Sequence, residues 1–393
     1  MKTKILKAIK NIICSILFLS ILCGSVLFVM PFFRYDEDVI SSGNMAMFYA
    51  QEKDTIDVAF VGSSALYRFI SPTEMYKNYG VTSMNFATAN MNIYAMPGVI
   101  EELVKYQHPK VIVIEIRNYI NNAEREMHGG EYTEEELSRK ESMFNRLVNN
   151  MPVSSTRSKI IEDTVPEMLG QETLDWKFEY LKTHTNWKNK GLDDVKYFFS
   201  RYVLKEVQDY DGEYYGADYK GTVARNWVYY NKDRDFSKFD TVSEISGKWL
   251  EKLQKTIDAA KSCGTNVMFL TTPYPTNETK VSYENFVEKY MESQDVHYLN
   301  CNKRYDEIGI DFASDFYDDE HSNTQGIVKV TNYLAKHIID YYKLEKTELT
   351  KEQQKDWEEA STKWVNEVRE PGLKKIKDFV ANEKAKGNKK YLD

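Results

Sequence analysis

The sequence predicts an α/β protein in which a parallel sheet carries helices on both faces. Five short runs rich in β-branched and aromatic residues predict strands near 57–61, 82–86, 110–116, 266–271 and 296–300. Segments with helical periodicity separate most of these runs, and such alternation is typical of a doubly wound sheet. Functional sites in these sheets lie at the carboxyl ends of the strands. The residues that follow each predicted strand are therefore the first candidates for chemistry.

The composition fits a large folded body and does not favour a nucleic-acid partner. The chain has 393 residues, of which 42% are hydrophobic and 13% aromatic, so it can bury a sizeable core. Its formal net charge is −8, and its lysine and arginine residues are spread along the chain. Because a surface of this sign does not attract phosphate backbones, no nucleic-acid binding is expected.

An apolar stretch near the amino terminus predicts a transmembrane helix. Residues Ile12–Phe33 are almost uninterruptedly apolar, which is long enough for a hydrocarbon core of about 30 Å at about 1.5 Å per residue. A cleaved signal peptide is the alternative, but its apolar region spans only about 7–15 residues. Here the stretch continues past Gly24-Ser25. We therefore expect residues 1–35 to form a cytoplasmic stub and an uncleaved anchor.

The charges that flank this stretch predict its orientation. The residues before it include Lys2, Lys4, Lys7 and Lys10, and those after it include Asp36, Glu37 and Asp38. Because positively charged flanks stay in the cytoplasm, the amino end is expected inside and the body outside the cell membrane.

A candidate nucleophile follows the first predicted strand. The apolar run Asp57–Val61 leads directly into Gly62-Ser63-Ser64, and a glycine there allows a sharp turn. A serine on such a turn is lifted above the edge of the sheet, where the next backbone N–H groups are free to hold a developing oxyanion. Ser64 is the predicted nucleophile.

A loop near the other end of the chain supplies a candidate base. Asp318 and His321 can leave one loop on the same side, so that the carboxylate reaches Nδ1 while Nε2 faces the serine. The helix predicted to begin at Thr324 follows directly. A metal is not expected, since one acidic loop with a single histidine offers few distinct ligands, and no other cofactor is expected either.

These two blocks resemble those of the SGNH (GDSL-like) hydrolase family, which carries Gly-Asp-Ser after its first strand and Asp-x-x-His before its last helix. Here the first block reads Gly62-Ser63-Ser64. Serine in place of aspartate at the middle position, here Ser63, is shared by membrane-anchored relatives that act on cell-envelope polymers, including the family involved in D-alanylating teichoic acids. The resemblance implies a flavodoxin-like core formed by residues 36–120 and 245–343, with Ser64, Asp318 and His321 as catalytic residues.

The blocks between these two depart from the family pattern. Where the family usually places a glycine after the second strand, Asn90 lies nearest, and where many members carry Gly-x-Asn-Asp after the third, this chain has Arg117-Asn118-Tyr119. The resemblance therefore implies an oxyanion hole formed by the N–H of Ser64 with Asn90 or Asn118. Arg117 is a candidate for substrate binding, and Glu115 a candidate partner for it.

Residues 121–244 are too long for an ordinary connection and predict a mostly helical cap inserted after the third strand. The tyrosine-rich stretch 210–221 lies within it. Tyr214, Tyr215 and Tyr219 are predicted to stack on sugars, and the alternative is a loop packed on the cap itself.

The last part of the chain, 344–393, is charged and carries tryptophans at loose helical spacing around a predicted helix break at Pro371-Gly372. It predicts a helical tail that either docks on the body or a partner, or stays solvated. Cys263 and Cys301 could meet at one end of the sheet, and a disulfide and two buried thiols are both open.

The expected function is that of a membrane-anchored, extracytoplasmic serine esterase or O-acyltransferase that acts on an O-acylated cell-envelope glycan or teichoic-type polymer. Whether water or a sugar hydroxyl resolves the acyl-enzyme is left open. The alternative is a non-catalytic envelope assembly factor that binds glycan or a membrane-bound O-acyltransferase.

Overall fold

The protein contains a five-stranded sheet in which every pair of neighbouring strands is parallel. The computed structural model describes residues 2–33, 39–178, 181, 183–200, 204 and 219–391. The strands are β1 (Val58–Gly62), β2 (Ser83–Ala87), β3 (Val111–Glu115), β4 (Asn266–Thr271) and β5 (His297–Asn300). Each predicted strand is therefore present, with its bounds shifted by at most about one residue. The order across the sheet is β2-β1-β3-β4-β5, as in flavodoxin-like doubly wound sheets.

Helices follow most strands. They are α1 (Lys2–Val29), α2 (Val39–Ala50), α3 (Ser64–Tyr67), α4 (Pro72–Tyr79), α5 (Met96–Gln107), α6 (Arg117–Met127), α7 (Glu134–Val148), α8 (Ser155–Leu169), α9 (Leu174–Lys177), α10 (Leu192–Phe198), α11 (Gly247–Ser262), α12 (Glu278–Ser293), α13 (Tyr305–Ile308), α14 (Thr324–Tyr342), α15 (Lys351–Lys363) and α16 (Glu370–Ala385).

The helices form a layer on each face of the sheet. Helix α14 packs on α4, whereas α11 packs on α5 and α6, and α12 packs on α6. Every residue of β1, β2 and β3 is buried, because both faces of these central strands are covered. This arrangement brings the carboxyl ends of all five strands to one edge.

Local signals explain where the helices beside the site begin. The Ser71 hydroxyl accepts a hydrogen bond from the N–H of Glu74 at 3.2 Å, and α4 ends at Gly80 in the left-handed conformation. The Asn323 side chain caps α14 by accepting hydrogen bonds from the N–H groups of Gln325 and Gly326. Helix α14 therefore starts three residues after His321, at Thr324.

The region predicted as one cap is divided. The described residues of Met1–Glu37 and Gln171–Val207 form one compact unit, and those of Asp38–Gly170 and Gln208–Asp393 form another. Helices α6, α7 and α8 belong to the second unit, where α8 packs on α5. Residues 222–246 contain no helix. In the described part of the predicted cap over 121–244, the helices therefore all lie before residue 222.

Helix α1 is long and apolar enough to cross a membrane. The most apolar 18-residue window within Lys4–Val29 has a mean hydropathy of 2.7, and none of this window is buried against the protein. A membrane anchor and a signal sequence share these properties.

The C-terminal tail docks on the α/β body rather than remaining solvated. Trp364 is fully buried, and its indole Nε1–H donates to Glu74 Oε2 at 2.8 Å. Arg369 makes an ion pair with the same carboxylate at 3.3 Å. The helical path is not interrupted at Pro371-Gly372, because a π-helical turn, Trp364–Arg369, leads directly into α16 and the proline falls in its first turn.

Cys263 and Cys301 are free thiols, the first partly exposed and the second buried. Burial raises the pKa of the Cys301 thiol, which therefore stays protonated at neutral pH.

Candidate active site

Ser64 lies at the carboxyl end of β1, on the turn that enters α3. Ser63 caps this short helix through its hydroxyl, which accepts a hydrogen bond from the N–H of Ala65 at 3.2 Å. A Cβ at Gly62 would lie 2.9 Å from Glu115 Cβ and 3.0 Å from Leu66 Cδ1, so only glycine fits between β1 and β3 here. The N–H of Ser64 is the first of α3 and so lacks an intrahelical partner.

The three residues predicted to be catalytic form one chain of hydrogen bonds. His321 Nε2 lies 2.9 Å from Ser64 Oγ. On the other side of the ring, Nδ1 lies 3.0 Å from Asp318 Oδ2 and 3.2 Å from Oδ1. A nucleophile, a base and a carboxylate that orients the base stand in the order that acyl transfer through a serine requires.

The charges in this chain suit a neutral base beside an ionised acid. Burial lowers the pKa of His321 below its usual value of 6.5, more than its hydrogen bond to Asp318 raises it. Burial raises the pKa of Asp318, but hydrogen bonds and charge from His321 outweigh that effect and hold the carboxyl below its usual range. At neutral pH the imidazole is therefore uncharged, and its Nε2 is free to accept the serine proton.

The loop that carries Asp318 and His321 is hydrogen-bonded to side chains of the irregular segment 222–246. Trp227 Nε1–H donates to the Tyr317 carbonyl at 3.1 Å, and Asn231 Nδ2 donates to the Asp318 carbonyl at 3.0 Å. The Tyr317 ring stacks on the imidazole, with 5.7 Å between centroids. The sequence did not reveal Trp227 or Asn231 as supports, because a segment without periodicity does not show what it packs on.

Arg117 does not lie where a polymer could contact it, so its prediction as a substrate-binding residue is wrong. It is 3% exposed, its guanidinium lies 4.7 Å from the centre of the Tyr274 ring, and Nη1 donates to the Glu320 carbonyl at 2.8 Å. That carbonyl directly precedes His321. Arg117 therefore ties the end of β3 to the histidine loop.

Glu115 pairs with Arg117 through the backbone rather than through the guanidinium. Its Oε1 accepts a hydrogen bond from the Arg117 N–H at 2.8 Å. Burial raises the pKa of Glu115 to about 7, against the lowering effect of Arg117. This carboxyl underlies the turn that presents Ser64, because its Cβ closes the space beside Gly62.

Asn90 and Asn118 come together over the end of β1. Asn90 follows β2 in the left-handed conformation, with φ of 53°, and Asn118 lies in the first turn of α6 after β3. Asn118 Nδ2 donates to Asn90 Oδ1 at 3.3 Å. Since β1 lies between β2 and β3, a bond between these two side chains must cross in front of the strand that leads to Ser64.

The prediction that tyrosines of the stretch 210–221 stack on sugars is not supported at Tyr219, the one of the three that the structure describes. Tyr219 is 6% exposed and packs against Trp364, and its hydroxyl donates to Glu367 Oε2 at 3.0 Å. It is a core residue between the body and the C-terminal tail, so its prediction as a sugar contact is wrong. Tyr214 and Tyr215 lie outside the described residues.

A cavity of about 190 Å³ adjoins the two asparagines. Tyr94, Trp249 and Tyr132 contribute aromatic surface to its lining, and Asn92 and Asn122 add amide groups. The sequence did not identify these residues, because they come from separate elements. No group of three or more potential metal ligands occurs among the described residues.

The acidic residues of this cavity are already paired with cations. Glu126 accepts from Lys140 Nζ at 2.9 Å, and Glu136 forms an ion pair with Arg125 at 2.7 Å. With these carboxylates paired, the lining offers aromatic faces and amide groups, which suit a polar group with an apolar face such as a sugar ring, and Arg139 adds one further cation. The cavity volume lies below the range of about 300–1,000 Å³ typical of pockets for larger ligands, so it suits one ring rather than several.

No protein-family model and no curated protein matches this chain. The functional argument is therefore carried by the geometry of the site.

Proposed function

We propose that this protein is a membrane-anchored, extracytoplasmic serine esterase or O-acyltransferase of the SGNH type that acts on an O-acylated cell-envelope glycan. The single observation that carries the proposal is the hydrogen-bonded chain from Ser64 through His321 to Asp318. The resemblance of Gly62-Ser63-Ser64 and Asp318-x-x-His321 to a membrane-anchored branch of that family supports the choice of substrate and a membrane-bound O-acyltransferase as partner.

In the proposed reaction, Ser64 Oγ attacks the ester carbonyl carbon while His321 Nε2 takes its proton. The negative charge that forms on the carbonyl oxygen is held by the N–H of Ser64 and by an amide of Asn118 or Asn90. The carbon–oxygen bond to the alcohol then breaks, and His321 returns the proton to the leaving oxygen. Water or a sugar hydroxyl next attacks the acyl-serine, gives its proton to His321 and restores Ser64.

A fluorophosphonate probe tests the nucleophile. The intact protein should become labelled, and Ser64→Ala should abolish labelling, because the probe bonds covalently to an activated serine. Ser63→Ala is the matched control, since this neighbouring hydroxyl caps α3 and does not contact His321; labelling should persist. Absence of labelling in the intact protein would overturn the catalytic proposal and favour a glycan-binding assembly factor.

The cavity beside the asparagines supports the glycan as substrate and can be tested separately. Tyr94→Ala should slow processing of an O-acylated polysaccharide several-fold, as expected for a stacking loss of about 1 kcal/mol. Hydrolysis of a small aryl ester should hardly change. Tyr341→Ala is the control, because this tyrosine is exposed at the far end of α14 and should affect neither substrate. Equal losses on both substrates would contradict the assignment of the cavity.

A further inference from the structure

One short region of the chain exposes most of the large apolar side chains found outside α1. Within the described residues, the exposed set in 171–204 is Leu174, Phe178, Leu181, Trp187, Leu192, Val195, Phe199 and Leu204. The other described residues outside α1, which are far more numerous, expose only seven large apolar side chains. Soluble proteins rarely leave apolar patches larger than a few hundred Å² uncovered, so this concentration marks a surface that meets something apolar.

The same region packs against the end of the apolar span. The Phe198 ring lies 5.6 Å from Phe28 and 5.9 Å from Phe32, centre to centre. Asn186 Nδ2 donates to the Phe33 carbonyl at 3.1 Å. Phe28 lies only five residues before the end of the apolar stretch. Residues that contact it therefore lie at the depth where a membrane span leaves the hydrocarbon core.

Helix α10 has two distinct faces. Leu192 and Val195 of α10 and Phe199, which directly follows it, are spaced three and four residues apart, so they share one side, and all three are exposed. Asp193 and Asp194 lie on the other side, and Lys196, at the border between the two sides, forms an exposed ion pair with Asp193 at 3.1 Å. An exposed apolar face beside a charged one is the pattern of helices that lie in the plane of a membrane surface.

We infer that the described residues of 171–204 form an interfacial element whose exposed apolar face lies in the outer boundary layer of the lipid bilayer beside α1. Its occupant is lipid, because the surface continues from the lipid-facing span and carries Trp187, a residue type enriched at membrane interfaces. The inference rests on the part of the proposed function that keeps α1 as an anchor, and it does not depend on catalysis.

The test uses full-length protein in phosphatidylcholine vesicles whose chains are brominated near the headgroups, which quenches tryptophans in contact with lipid. The contribution of Trp187 is the difference between the intact protein and Trp187→Phe. We expect this difference emission to lose most of its intensity in brominated vesicles and to resist aqueous iodide.

A matched pair of reporters on α10 gives an independent reading in the Trp187→Phe background. Leu192→Trp should be quenched by brominated lipid, whereas Asp193→Trp, on the opposite side of the helix, should be quenched by iodide. Quenching of Trp187 and Leu192→Trp by iodide alone would overturn the inference. Shielding of both from either quencher would also overturn it and indicate a protein partner. Neither outcome would affect labelling of Ser64, so the two proposals fail separately.

Discussion

At the scale of single residues, the role of His321 is the most direct prediction. His321→Ala should lower turnover of a small aryl ester by about 10³-fold or more, because base and nucleophile act as a unit. Asp318→Asn should be impaired less. Turnover within a few-fold of the intact protein would contradict the assignment.

His108 provides the matched control for this measurement. Its Nδ1 lies 2.7 Å from Asp54 Oδ1, so it forms a similar histidine–carboxylate pair, but it lies before β3, at the amino ends of the strands. His108→Ala should leave turnover unchanged, which would show that the pairing matters only beside Ser64.

The effect of Arg117 should appear in the pH profile. Since only neutral His321 can act as base, kcat/KM should fall as pH drops through a pKa below 6.5. The charge of Arg117 lowers that pKa, so Arg117→Ala should move the acidic limb to higher pH. Loss of the hydrogen bond to the Glu320 carbonyl should also reduce kcat about tenfold. A uniform loss at every pH, with the limb unmoved, would mean that Arg117 supports only the fold.

Sequence reasoning predicted that Ser64, Asp318 and His321 lie together, as their hydrogen bonds show, because their residue types and their places next to recognisable strands and helices are local signals. It misplaced Arg117 because a residue after a strand can point into or out of the protein, and only packing against Phe69 and Tyr274 decides which. Residues such as Trp249 escaped notice since a cavity lining is assembled from distant parts of the chain.

At the scale of elements, the C-terminal tail should contribute substantially to stability. Trp364→Ala should lower the free energy of unfolding by about 3–5 kcal/mol, the usual cost of removing a fully buried tryptophan. Trp364→Phe should cost less, about 1–3 kcal/mol, because it mainly removes a donor from the buried Glu74 carboxylate. Denaturant titration of the full-length protein measures both.

Phe379→Ala is the control for these variants, as it lies in α16 with its side chain 39% exposed. Its ring makes an edge-to-face contact with Tyr391 at 5.9 Å between centroids, so the substitution should cost about 0.5–1.5 kcal/mol, well below the cost of Trp364→Ala. If all three substitutions lower the free energy of unfolding equally, the hydrogen bond between Trp364 and Glu74 does not stabilise the docked tail.

The five strands and the helix caps were predictable, since apolar runs, Ser71 and Asn323 are local signals. The path of residues 222–246 was not predictable, because it is fixed by backbone hydrogen bonds to remote carbonyls such as those of Phe312 and Phe316. Pro371-Gly372 was misread as a break because proline is tolerated in the first turn of a helix. Gly372 also makes room there for the Asn226 side chain, which a Cβ would displace because it would lie 2.4 Å from Asn226 Oδ1.

At the scale of the whole molecule, protease accessibility tests the proposed topology. Protease added to intact cells should digest an epitope at the carboxyl terminus and spare one at the amino terminus, because the lysines before the span stay in the cytoplasm. A protected carboxyl terminus would reverse the orientation and remove the envelope substrate. Release of a soluble form that lacks α1 would instead indicate a cleaved signal.

Ser64 and His321 lie 257 residues apart in the chain yet share a hydrogen bond. Closing so long a loop is entropically costly and is offset only by the sheet and helices formed between the two residues. In the proposed enzyme, Ser64 therefore has no base until the loop that carries His321 has docked. The proposed activity would then arise only after most of the chain has been synthesised.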